Sequence, residues 1–103
     1  MDAVATLVVQ VAITKIDALA VISLAADSPV LAAGTSRPRV ELDAGAWAEV
    51  DIPKFGEPPP LAIDVRSPLG LEHARLSALT LAAALERDTG WVVYPDFPVA
   101  PRS

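Results

Sequence analysis

The chain has no cysteine. Disulfides, thiolate metal sites and a cysteine nucleophile are excluded with it. It has one histidine, His73, so a histidine-based metal site would need carboxylates gathered around that residue. Glu72 is its neighbour in sequence but not on its helical face. No Gly-x-Gly-x-x-Gly or Walker loop, no Gly-x-Ser-x-Gly elbow and no Asp-x-Asp-x-Asp-Gly loop occurs. No cofactor and no metal is therefore expected. The eight Lys and Arg are scattered without aromatic interleaving, which argues against an RNA-reading sheet. A transmembrane helix wants ~20 nearly uncharged residues. The very apolar stretch 3–26 is interrupted by Lys15 and Asp17, and no positive segment opens the chain as a signal peptide requires. The expectation is a cytoplasmic protein with no membrane contact.

Apolar residues make up 52% of the 103 residues, and mean hydropathy is +0.43. That length and composition suit one domain, residues 1–103, with a modest core. Residues 95–103 form a tail with proline at every third position, the period of a polyproline II turn. Thirteen acidic against eight basic residues leave a net charge of −5. Phosphate backbones are repelled by such a surface, so no nucleic-acid partner is expected. A basic protein partner suits it better.

The clearest punctuation lies in residues 61–94. Leu61, Ile63 and Val65 alternate with Ala62, Asp64 and Arg66, as in a half-buried strand. Ser67 as cap and Pro68 at the first position open a helix over about 68–88, and Gly90 closes it. Leu71, Ala74, Ala78, Leu81, Ala82 and Leu85 form one apolar stripe. Leu76, Leu79 and Ala83 form a second, which marks a candidate homodimer patch. His73 falls outside both and is expected at the surface. Residues 91–94 are a further strand.

Upstream, residues 3–14 alternate as a strand with Ala5, Leu7, Val9, Val11 and Ile13 on one side. Residues 18–26 lean towards a helix capped by Asp17, with a second strand as the alternative. Ser28 and Pro29 open a short helical turn over 30–33, stopped by Gly34. Residues 39–43 and 46–52 form a hairpin. A tight turn sets Leu42 against Trp47. A longer loop over 43–47 sets Val40 against Val50 and Leu42 against Ala48, keeping the apolar face together. The second register puts Arg39 across from Asp51 and Glu41 across from Glu49. Residues 53–60 are a proline-rich loop.

The fold expected is α+β: a mostly antiparallel four- to six-stranded sheet, ferredoxin-like, with the long helix on one face. Candidate protein-binding residues are Glu41, Asp43, Glu49 and Asp51, an acidic hairpin face, with Trp47 as aromatic anchor. A solvated sheet face is the plainer account of those carboxylates. A rival is a small ferredoxin-like enzyme with a pocket between helix and sheet using His73 or Asp64.

The runs Leu61-Ala-Ile-Asp-Val-Arg-Ser67, Leu79-Thr-Leu-Ala-Ala-Ala-Leu85 and Thr89-Gly-Trp-Val-Val-Tyr-Pro-Asp96 resemble the C-terminal half of small bacterial α+β immunity proteins. These neutralise polymorphic or contact-dependent toxins. The resemblance covers roughly a third of the chain and is one of pattern. It implies a compact, cytoplasmic, non-enzymatic inhibitor whose partner is a toxin, and it carries over no individual residue.

Overall fold

The structure is a computed structural model. It describes residues 2–11, 13–32, 34–35, 38–51 and 61–97, and of Asp43 the backbone alone. The 53–60 loop and residues 98–103 of the tail lie outside the described residues.

Strand β1 is Ala3–Val9. Its alternation is the expected one: Ala5, Leu7 and Val9 are buried, while Val4 is exposed. The strand ends five residues earlier than the pattern suggested. Val11 and Ile13 still pack against the core from the connection that follows, so alternation persisted beyond the sheet.

Helix α1, Lys15–Ala26, is capped by Thr14, whose side chain accepts from the Asp17 amide at 3.1 Å. Asp17 is thus a first-turn residue and not the cap. Its carboxylate there still suits the positive end of the helix dipole. Asp27 closes the helix in the left-handed region (φ 54°), and the Ser28 amide reaches back to the Ser23 carbonyl. The short turn expected after Pro29 is instead strand β2, Val30–Leu31, antiparallel to strand β3, Arg39–Glu41. The β-branched valine and an available edge outweigh the local Ser-Pro start signal. Ala33 lies outside the described residues.

Strand β4 is Trp47–Asp51. The hairpin register sets Val40 against Ala48 and Glu41 against Trp47. Neither expected register forms. Asp43–Gly45 make the loop, with Ala44 (φ 57°) and Gly45 (φ 83°) both left-handed. The Leu42 amide closes it on the Ala46 carbonyl at 2.7 Å. This register differs by two residues from the longer-loop expectation. A slip of two leaves every side chain on its own face, so Val40, Ala48 and Val50 stay buried under either.

Strand β5, Leu61–Ser67, alternates buried and half-buried throughout. Helix α2 runs Leu71–Thr89. It starts three residues later than expected, after Gly70 (φ 115°), and no side chain caps it. Ser67 is the last residue of β5 and is fully buried. Gly90 (φ 78°) ends α2 as expected, its amide returning to the Glu86 carbonyl at 3.1 Å. Strand β6 is Val93–Pro95.

All pairings are antiparallel, in the order β2-β3-β4-β5-β1-β6. Within it β1-α1-β4-β5-α2-β6 has the split βαβ connectivity of the ferredoxin-like arrangement, and β2 and β3 extend the sheet beyond β4. Helix α1 buries Ala18, Leu19 and Ile22; α2 buries Ala74, Ala78, Leu81, Ala82 and Leu85. Both join one core cluster with the inward residues of the strands. Five of the six residues expected in the first α2 stripe are buried; Leu71, in its first turn, is exposed. The alanines let α2 lie close on β1 and β5.

Candidate functional site

Both helices cover the same side of the sheet, so the opposite side carries the alternate residues of every strand. The pairings put them in rows. Tyr94, Val8, Ala62 and Asp51 form one; Thr6, Asp64 and Glu49 the next; Val4, Arg66, Trp47 and Glu41 a third. Each of these residues is half-buried or exposed.

Trp47 stands at the start of β4, the third strand from the β2 edge, in the row nearest the hairpin loop. It is half-buried, and its position is fixed from three directions. The Arg39 guanidinium lies over the indole at 5.5 Å from the ring centroid, within cation–π range. The indole Nε1 donates to Glu49 Oε2 at 2.9 Å. Arg66 neighbours it on β5. Glu49 Oε1 in turn lies 3.5 Å from Arg66 Nε. That approach is a charge pair without hydrogen-bond alignment, since Arg66 Nε is buried and makes no hydrogen bond among the described residues. Further across, Thr6 donates its hydroxyl to Asp64 at 2.8 Å.

Of the expected acidic residues, Glu41, Glu49 and Asp51 all lie on this face. They do not form a continuous acidic surface. Glu49 is half-buried and tied to Trp47 and Arg66, while Glu41 and Asp51 are exposed at opposite ends of the hairpin. The Arg39–Asp51 and Glu41–Glu49 cross-strand pairs belong to the register that does not form; Glu41 faces Trp47 instead. The Asp43 side chain lies outside the described residues. Arg39, Arg66 and Thr6 are not among the binding residues expected from the sequence. Their signal was available only through the register, because Trp47 meets Arg66 across 19 residues of chain (66 − 47).

On the other side of the molecule, α1 and α2 flank an open groove of about 840 Å³, lined among others by His73, Leu76, Leu79, Ala83 and Arg87 of α2. Leu76 is 58% exposed, Leu79 half-buried and Ala83 exposed, so the second stripe faces outward. Arg87 is engaged by its neighbour Asp88 at 2.9 Å. That bond holds the Asp88 carboxyl below its ordinary value. The pair therefore contributes above the normal carboxylate range and loses its contribution as pH falls through the lowered pKa. Both groups are solvated, and little stability rides on it.

His73 is half-buried rather than exposed, and its Nδ1 lies 2.6 Å from Ser67 Oγ. Ser67 Oγ also accepts from the Leu69 amide at 3.0 Å. The pair ties the end of β5 to the first turn of α2, which has no side-chain cap of its own. Ser67 is fully buried and is closed to a substrate as a nucleophile. Asp64 lies on the face away from the helices and does not line a pocket between helix and sheet. Ser67→Ala should cost about 1.5 kcal/mol in urea unfolding, because the Leu69 amide and His73 both lose their partner. An unchanged midpoint would mean that the turn is held by something else.

Among the described residues, no group of three or more His, Asp or Glu side chains is placed to hold a metal ion. No helix among them is long and apolar enough to cross a membrane. No protein-family model, no curated protein and no solved structure matches this chain.

Proposed function

We propose that this protein is a binding module that docks a more basic protein on the face of its sheet away from the helices, as an inhibitor of the immunity type. The observation that carries the reading is the fixed, half-buried Trp47 on a sheet face that neither helix covers. Aromatic side chains held in one geometry before binding lose little entropy on docking and make effective anchors. Around Trp47 the face offers both charge signs, with the ring of Tyr94 at its β6 edge (55% exposed). Paired charges next to an aromatic anchor favour selectivity among partners.

The net charge of −5 supplies long-range attraction to a basic protein, and Glu41 and Asp51 are the exposed acidic side chains described on the hairpin that carries the anchor. Electrostatic attraction of this kind acts on the association rate and weakens with salt. Immobilised wild-type protein should retain a basic partner from lysate of its native host, and Glu41→Lys with Asp51→Lys should slow its association several-fold at low salt. A partner bound at the same rate by the doubly reversed chain would contradict the acidic part of the reading. An acidic partner, or none, would contradict the reading as a whole.

A further inference from the structure

We infer that the helical layer is a self-association face, through which two copies of the chain pair about a twofold axis. Helix α1 carries only Lys15 and Asp17 as charged residues among twelve. Its apolar side chains do not stop at the core side: Ile16 is 79% and Leu24 82% exposed. A helix that is apolar all round belongs to an interior. Beside it, Leu76 and Ala83 stand out on α2, and Leu79 lines the groove between the two helices.

Charge selects a second copy as the occupant. Helix α1 sums to zero, Lys15 against Asp17. Helix α2 sums to −1, with Glu72, Glu86 and Asp88 against Arg75 and Arg87. Of the −5 on the chain, −4 therefore lies off the two helices (−5 − (−1)). Two copies meeting helix layer to helix layer bring together their least charged faces and keep their acidic surfaces apart. A basic foreign protein gains little from a layer of net charge −1. It is drawn to the rest of the surface.

The dimensions agree. Helices of twelve and nineteen residues are ~18 and ~28 Å long and pack ~10 Å apart. Their outer face has a projection on the order of 500 Å², and its ridged surface exceeds its projection. Full coverage approaches the ~800 Å² per partner of a standard interface. In a twofold pairing the Leu24 ridge of each copy can seat beside Leu76 and Leu79 of the other, each contact occurring twice.

Sedimentation equilibrium of the full chain tests this. The expected mass is 21.6 kDa (2 × 10.8 kDa) at ~100 μM, where a micromolar dimer is nearly fully formed, falling to 10.8 kDa on dilution. Leu24→Glu and Leu76→Glu should each be monomeric at that concentration with an unchanged circular dichroism spectrum, since both side chains are exposed in the single chain. Leu24→Gln and Leu76→Gln provide milder variants should a glutamate disturb folding; these should weaken association at least tenfold. Trp47→Ala should remain dimeric, which separates this inference from the sheet-face reading. A wild-type chain that stays monomeric at ~1 mM would overturn it. So would a dimer that survives both leucine variants, or one lost only with Trp47.

Discussion

Leu7→Ala should lower the unfolding free energy by about 3 kcal/mol, within the range for emptying a fully buried leucine site. Leu7 has no exposed surface. It sits on the sheet's second strand from one edge, with Ile63 of β5 on one side and Pro95 of β6 on the other, and α2 packs over β1. Neighbours on three sides belong to regular elements, so the site collapses poorly around the missing atoms, and cavity cost adds to transfer cost. A domain of this size has about 5–15 kcal/mol in total, and the melting temperature should fall by about 15 °C. Val92→Ala removes apolar surface where the side chain is 56% exposed and should stay within about 0.5 kcal/mol. Equal losses at the two positions would contradict the placement of β1.

Trp47→Ala should weaken partner binding by about 2 kcal/mol or more, roughly 30-fold or beyond, the range of a central aromatic anchor. The loss has two sources. The indole itself leaves the interface, and Arg39 loses the ring it lies over. A partner that then finds a mobile Arg39 in place of a fixed platform meets an additional entropy cost. Trp47→Phe separates the sources. The ring remains under Arg39, but the bond to Glu49 is lost, so its effect should fall between wild type and alanine. Affinity unchanged in Trp47→Ala, measured by titration calorimetry on the folded variant, would remove Trp47 from the interface.

The faces of the strands were legible because alternation along one strand is local: Ala5, Leu7 and Val9 go in wherever β1 finds its partners. The hairpin register was not legible. Val40 opposite Ala48 and Val40 opposite Val50 bury the same residues, and only the loop closure at Leu42 and Ala46 decides between them. That two-residue difference determines the site, since it replaces a like-charged Glu41–Glu49 pair by Glu41 beside Trp47. The strand–helix–strand order of 61–94, one half of the ferredoxin-like connectivity, was legible, and its helix ends at Gly90 in a left-handed backbone. Its start misled, because Ser67 has the chemistry of a cap and uses it at a distance of two and six residues, on Leu69 and His73. The same bond draws His73 to the protein body, although its helical angle pointed away from the main stripe. Strand β2, at two residues, is too short for any period to declare it.

The central claim is that the side of the sheet away from the helices, at Trp47, is the working face. Replacing Trp91 by Phe leaves Trp47 as the one tryptophan in the chain, and its fluorescence then reports on that face alone. Titrated with the basic protein retained from lysate, the Trp91→Phe chain should show a blue-shifted, saturable emission change whose midpoint matches the binding constant. Binding at full strength with an unaltered Trp47 spectrum would place the partner elsewhere and contradict the account.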